Sequence, residues 1–244
     1  MKRLLIDAGN TRIKLATVTE GRWSPVQAVM TGESDGLAAC LANFLAGGVQ
    51  QVWVSNVAGS KVGQLIATAC ASANLTPRFI ASQARQCGVG NGYVRPEQLG
   101  CDRWAALIAA WHQLGSACLV VNSGTATTID ALSARGEFIG GLILPGVELM
   151  QRSLTGAAAQ LRHGGGHYAD FPRNTADALL SGALQASCGA IGRQHAALGV
   201  PDAPVLMSGG AAQVLQPHLQ LPAQMMDNLV LQGLLIIAQE TGGA

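Results

Sequence analysis

Apolar positions in this chain fall into short runs and longer helical stripes that alternate from the N-terminus onward. "RLLIDAG" (3–9) is a brief apolar run halted by Asp and Gly, and "IKLATVT" (13–19) alternates apolar and polar residues as a half-buried strand does. "EGRW" (20–23) turns the chain, and "WSPVQAVMT" (23–31) predicts a third strand. "DGLAACLANFLAGG" (35–48) has helical spacing and stops at a glycine pair. Strand "QVWVSNVAG" (51–59), helix "KVGQLIATACASA" (61–73) and strand "TPRFIAS" (76–82) follow. The polar, Gly-rich "RQCGVGNGYVRPEQLGCDR" (85–103) predicts a loop running into the helix "WAALIAAWHQLG" (104–115).

The second half restarts the pattern. In "ACLVVNSGTATTIDALSARGEFIGGLILPG" (117–146), strand, glycine turn, strand, turn and strand recur, with helices expected around 147–160 and 175–198. "APVLMSGG" (203–210) predicts a late strand with its own glycine turn, and an apolar helix closes the chain. Laid over the opening at a constant offset, Asn122 falls on Asp7, Gly124 on Gly9, Thr125 on Asn10, Gly136 on Gly21 and Phe138 on Trp23. The expected fold class is therefore α/β, with two duplicated halves of βββαβα type, residues 1–117 and 118–244, and a cleft between them.

Composition narrows the functions available. Of 244 residues, 49% are apolar and 12% charged, and the net charge is +1 with no basic run, so the footprint of a nucleic-acid binder is missing. Only the three-residue apolar run Leu4-Leu5-Ile6 leads up to Asp7, too short for a signal peptide's apolar region, and "LVLQGLLIIA" (229–238) is about half a membrane span. Cys40, Cys70, Cys87, Cys101, Cys118 and Cys188 show neither C-x-x-C nor zinc-ligand spacing, and most sit among apolar residues as buried thiols do. A reduced, cytoplasmic protein without a membrane segment is expected.

Two candidate chemistries stand out. An apolar strand ending in Asp7-Ala8-Gly9-Asn10-Thr11 suits phosphate: glycine lets the backbone approach an anion, amides and short polar side chains meet its oxygens, and the aspartate can hold Mg²⁺, usually through water. Lys14 either reaches the same phosphates or faces solvent. A plain hairpin would explain one copy; two copies in register favour phosphate binding. "MSGGAA" (207–212) is a weaker third turn, flat enough for a base or ribose. Asp102 and Arg103, where the glycine-rich loop enters its helix, read equally as a helix-capping carboxylate beside a surface arginine or as a general base beside an anion-binding guanidinium. His163 and His167 flank three glycines and read as a loop, Trp104 and Trp111 as core or interface, and neither a P-loop nor a G-x-S-x-G nucleophile motif occurs.

Taken together and in order, "DAGNTRIK", "GYVRPEQLGCDRWAAL", "GTATTID", "NTADALLSG" and "SGGAA" resemble the type III pantothenate kinases over essentially the whole chain. The resemblance implies the actin-like fold of sugar kinases and heat-shock ATPases, with ATP in the cleft. It also implies phosphorylation of pantothenate by ATP, the first step towards coenzyme A, in a cytoplasmic homodimer. By the family's motifs, Asp7, Ala8, Gly9, Asn10, Thr11, Arg12, Ile13 and Lys14 form the first ATP loop, with Asp7 on Mg²⁺ and Thr125 also contacting ATP. Gly100, Cys101, Asp102 and Arg103 line the pantothenate site with Tyr93 and Thr175, and Asp102 accepts the proton. Many members carry Asp-x-Gly-Thr in the second loop, where the Asp holds K⁺ or NH₄⁺; here Asn122 keeps a neutral oxygen but lacks the charge, which weakens that cation site. The rival readings are a non-catalytic nucleotide-binding regulator on the same fold and a different small-molecule kinase or phosphatase.

Overall fold

The computed structural model describes residues 1–157 and 165–242. They group into two compact units, Met1–His112 with Leu229–Ala244, and Gln113–Asn228.

In the first unit, β1 (Lys2–Ala8), β2 (Arg12–Thr19), β3 (Arg22–Trp23) and β4 (Gln27–Met30) form antiparallel ribbons. The single strand expected over 23–31 is thus two short ones, interrupted at Pro25, which cannot donate to a ladder. Helix α1 (Ser34–Ala46) leads to β5 (Gln51–Asn56), which pairs parallel with β1, and α2 (Ser60–Ser72) leads to β6 (Pro77–Phe79), parallel to β5. The order β3-β2-β1-β5-β6, with β4 also on β2, is the βββαβα pattern. Leu4, Ile6, Ala8, Ile13, Leu15, Val52 and Val54 pack with α1 and α2 in one core cluster. By the alternation of strands, Leu5, Asp7, Trp53 and Ser55 face the other side of the sheet.

The stretch expected to be loop from 85 to 103 holds more structure than that. β7 (Arg85–Gln86) and β8 (Val89–Asn91) pair antiparallel, and the two residues between them, Cys87 and Gly88, have φ of +49° and +78°. Positive φ at both positions suits a two-residue hairpin turn, which usually takes Asn-Gly. Cysteine is held in this conformation by the Glu240 carboxylate, which accepts from both its amide and its thiol at 3.1 Å. A 3-10 turn at Pro96–Gln98 then delivers the chain to α3 (Cys101–Leu114), which begins three residues earlier than the apolar pattern predicted.

In the second unit β9 (Cys118–Ser123), β10 (Ala126–Leu132) and β11 (Glu137–Pro145) repeat the meander. They are followed by α4 (Val147–Ala157) and α5 (Thr175–Leu198), then β12 (Val205–Ser208), α6 (Ala212–Leu215) and β13 (Ala223–Met225). Parallel pairing of β12 with β9 and β13 gives the order β13-β12-β9-β10-β11, so β1, β2 and β5 correspond to β9, β10 and β12. The last three residues of the helix expected over 147–160 lie outside the described residues, as does His163. The second hairpin is one residue shorter than the first: Asp7 pairs with Lys14, whereas Asn122 pairs with Thr128. The next turn is one residue longer than its counterpart, since Leu132 pairs with Phe138 where Val18 pairs with Trp23, which is why Phe138 still aligns with Trp23.

The last helix, α7 (Leu229–Thr241), departs from the division expected at residue 117. It packs on β1 and β5, so the end of the chain completes the first unit. Its apolar residues Leu229, Val230, Leu231, Leu234, Ile237 and Ala238 are all buried. Gly233 explains the close fit: a Cβ there would stand 1.9 Å from the Ala105 carbonyl oxygen, backbone that cannot swing aside. Gly233→Ala is therefore expected to destabilise by about 1–3 kcal/mol. By contrast Gly189→Ala, on an exposed face of α5 with open space around it, should stabilise by up to about 1 kcal/mol. Thermal denaturation of both variants checks this; equal shifts of one sign would refute the contact at Gly233.

Candidate functional site

The first site begins where β1 ends. Parallel pairing sets Asp7 beside Ser55 and Ala8 beside Asn56, while antiparallel pairing sets Asp7 beside Lys14. The turn from Gly9 to Thr11 is closed by the Gly9 amide on the Arg12 carbonyl at 3.1 Å. It is pinned from outside by Thr31, whose hydroxyl donates to the Gly9 carbonyl at 2.7 Å and whose amide donates to that of Thr11 at 3.0 Å. Asn10, Thr11 and Arg12 are exposed. Ala8 and Ile13 are fully buried in the core of the unit, so of these two only the backbone is available to a ligand.

The first turn of α3 meets the same sheet face. Cys101 Sγ lies 3.4 Å from the hydroxyl of the buried Ser55, which ties the helix start to the end of β5. Asp102 folds back so that one carboxylate oxygen accepts from the Arg103 amide at 2.8 Å. Room for this comes from Gly100, where a Cβ would sit 2.6 Å from that oxygen. Arg103 is buried; its guanidinium donates to the Tyr93 hydroxyl at 3.1 Å and lies over the Tyr93 ring, 5.8 Å from its centre. Tyr93 is itself set by Asn91, whose side-chain oxygen accepts its amide at 3.1 Å. Trp104 is fully buried and donates to Gln86 at 2.9 Å, so it belongs to the core.

The electrostatics of this turn centre on Asp7. Burial, then the neighbouring charge of Asp102, push its carboxyl up to about 7, with Lys14 pulling the other way. Two carboxylates in one partly desolvated place favour a cation or a proton. Among the described residues no group of three or more His, Cys, Asp and Glu side chains is placed to hold a metal. The donor set of Asp7 and Asp102, all oxygen and few in number, nevertheless fits Mg²⁺, which keeps much of its water and takes other ligands from phosphates.

The second unit carries the related turn. Asn122 lies at the end of β9 and pairs with Thr128 on β10 and with Ser208 on β12, as Asp7 pairs with Lys14 and Ser55. The Gly124 amide donates to the Ala126 carbonyl at 2.9 Å, and Thr125 is pinned through its carbonyl by the Gly146 amide at 2.8 Å, much as Thr31 pins the first turn. Gly209, with φ of +95°, passes so close that a Cβ would meet the Ser123 carbonyl at 2.2 Å and the Asn122 side-chain oxygen at 2.6 Å. Thr175 is the first residue of α5, exposed, behind the cap Asn174, whose side chain accepts from the Asp177 amide at 2.9 Å.

Asp7, Lys14, Gly100, Cys101, Asp102, Arg103 and Tyr93 are thus gathered in the first unit, and Asn122 and Thr125 in the second, with Thr175 at a helix start. His167 donates its amide to Asp177 at 2.7 Å and belongs to that cap. Sequence reading missed Ser55, whose signal was a polar residue breaking the apolar run "VWVSN" opposite Asp7. No disulfide joins the six cysteines, and burial drives the Cys87 and Cys118 thiols up to about 12.

A family model for type III pantothenate kinase matches residues 3–197. A type III pantothenate kinase of Aromatoleum aromaticum is 46% identical over 99% of both chains, and that of Nitrosospira multiformis is 44% identical over 98% of this chain and 91% of its own. In fold, the chain is similar to a structure described as a Baf family transcriptional activator from Campylobacter jejuni, with a TM-score of 0.63 and 20% identity over 99% of this chain and 100% of that one. It is also similar to glucokinase from an Antarctic psychrotroph, with a TM-score of 0.51 and 11% identity over 98% and 99%. The fold is the duplicated one of sugar kinases and actin-like ATPases, and on the extent and level of these matches the chain belongs to the type III pantothenate kinase family.

Proposed function

We propose that this protein transfers the γ-phosphoryl group of ATP to the primary hydroxyl of pantothenate, the first step towards coenzyme A. The observation that carries the reading is the pairing of Asp7 with Asp102, whose carboxylate is held in place by Gly100 and by the Arg103 amide. Phosphoryl transfer asks a protein for positioning and charge balance more than covalent chemistry. As the pantothenate oxygen bonds to phosphorus and the bond to ADP breaks, Asp102 takes the hydroxyl proton. Arg103, aimed by Tyr93, receives the pantothenate carboxylate, and Thr175 adds a polar contact to that substrate. The backbone of Gly9 to Lys14, with Asn10, Thr11 and Arg12, receives ATP phosphates, Thr125 contacts ATP, and the Gly209-Gly210 turn takes the nucleoside side. Mg²⁺ would be held by Asp7, largely through water, and when bound supplies charge neutralisation at the transferring group. The same reading makes the protein a cytoplasmic homodimer; among the described residues no helix is long and apolar enough to cross a membrane. A coupled assay of ATP consumption tests the whole: ADP should appear only when pantothenate is added, and pantothenate-independent or absent turnover would overturn it.

Asp102→Asn is expected to lower turnover by about 10²- to 10⁴-fold while ATP binding, measured by calorimetry, is largely kept. Gly100→Ala gives a second view of the same group. Its methyl would displace a flexible carboxylate rather than backbone, so the melting temperature should hold while kcat falls about tenfold or more. Wild-type turnover in either variant would remove Asp102 from the role of base.

Asp7→Asn should separate activity from stability. A carboxyl raised in the folded state stabilises the fold below its ordinary value, near 4, and that contribution is lost as pH rises through about 7. Without nucleotide or metal, Asp7→Asn should therefore melt higher than wild type above pH 7, and the gap should close towards pH 4. The variant should lose activity, and what remains should need more Mg²⁺. Parallel melting curves across pH, or an unchanged Mg²⁺ titration, would contradict this.

Asn122 stands where many family members carry an aspartate for a monovalent cation. An amide oxygen offers a dipole where a carboxylate offers a charge, and in a partly desolvated site the difference is large. Activity should change little with KCl at constant ionic strength, and Asn122→Asp should become more responsive. Steep saturable activation of the natural protein by K⁺ would show that other oxygens complete the site.

A further inference from the structure

Cys101 falls in the motif that lines the pantothenate site, yet its side chain is turned towards the protein. Its sulfur meets the Ser55 hydroxyl at 3.4 Å and is also approached by backbone groups of Asn56 and Asp102. Ser55 is wholly buried, and the pairing of β1 with β5 sets it directly beside Asp7. A continuous chain of contacts therefore runs from Asp7 through the strand register to Ser55, across to Cys101, and along one peptide bond to Asp102.

We propose that the Ser55–Cys101 contact is a positioning device: it seats the first turn of α3 on the end of β5 and so fixes where Asp102 stands relative to Asp7, without touching substrate. This rests on the kinase reading above. Asp102 belongs to the helix and Asp7 to the sheet, and a helix start is otherwise free to slide or fray on a sheet edge by an ångström or so. Displacement on that scale costs about 10²-fold when reacting groups must meet. Gly100 fixes the rotation of the Asp102 side chain; Cys101 fixes the backbone that carries it.

The test uses the full-length protein with Ser55→Ala, Cys101→Ala, the double variant and Cys101→Ser. Cys101→Ala and Ser55→Ala should each lower kcat about tenfold, with KM for pantothenate and ATP within about twofold. The double variant should be no worse than either single one, because both remove the same contact, and Cys101→Ser, which keeps a hydrogen-bonding group, should recover most of kcat. Independently of turnover, Ser55→Ala should speed hydrogen exchange of the Trp104 amide, which closes the first turn of α3 on the Gly100 carbonyl, about tenfold, read by mass spectrometry on that peptide. A raised KM for pantothenate with unchanged kcat would make the thiol a substrate contact and overturn the proposal, as would multiplying losses in the double variant. A kcat lost only in step with melting temperature would reduce the contact to general stability and overturn it too. Equal exchange rates would overturn the tether itself, whereas a wild-type protein inactive on pantothenate would overturn the kinase reading and with it only the catalytic half of this proposal.

Discussion

The carboxylate of Asp7 is drawn largely out of water at the end of a strand and placed near a second carboxylate, that of Asp102. Most of the surrounding construction follows from keeping that arrangement in place. The parallel register of β1 and β5 sets the first acid; a glycine before α3 makes room for the second; a buried serine and a thiol hold strand and helix together. Lys14, opposite Asp7 in the hairpin, offsets part of the cost. An acid whose proton is held up to about 7 by burial gives that proton up when a cation arrives, so affinity for the cation is gained at the expense of stability without it.

The duplication gives the same strand ends a second time with different chemistry. Asn122 takes the place of Asp7, Ser208 that of Ser55, and Thr128 that of Lys14, in a hairpin shortened by one residue. An amide makes no demand for a counter-charge, and the second turn can approach its neighbour Gly209 within contact distance of backbone. One copy concentrates charge and the other supplies close-fitting backbone. This division is consistent with a fold in which a phosphoryl donor must be both neutralised and enclosed.

Much of this was legible in the residues. The repeat, the strand-turn-strand pattern of both halves and the Asp-Arg pair at a helix start all rest on local spacing, and the structure has them where the spacing placed them. What escaped depends on contacts distant in sequence. The Cys87-Gly88 turn hid a hairpin because cysteine rarely holds positive φ, and the carboxylate that steadies it comes from Glu240, far along the chain. The pattern of α7 announced a buried helix but could not say what it is buried against. Ser55 looked like one polar residue in an apolar strand until the register set it beside Asp7.

The place of α7 has a consequence for how the protein is made. The second unit is one uninterrupted stretch, whereas the first needs the final helix, which covers β1 and β5 and brings Glu240 to the hairpin that leads into Tyr93. Synthesis runs from the N-terminus, and domains in general fold as their residues emerge. Here the unit begun first is finished last: its apolar sheet face waits, uncovered, while more than a hundred residues of the other unit are translated. Chaperone dependence in the cell should therefore concentrate on the nascent chain before Leu229 appears, and premature termination near the end would leave the first unit, rather than the second, exposed to aggregation.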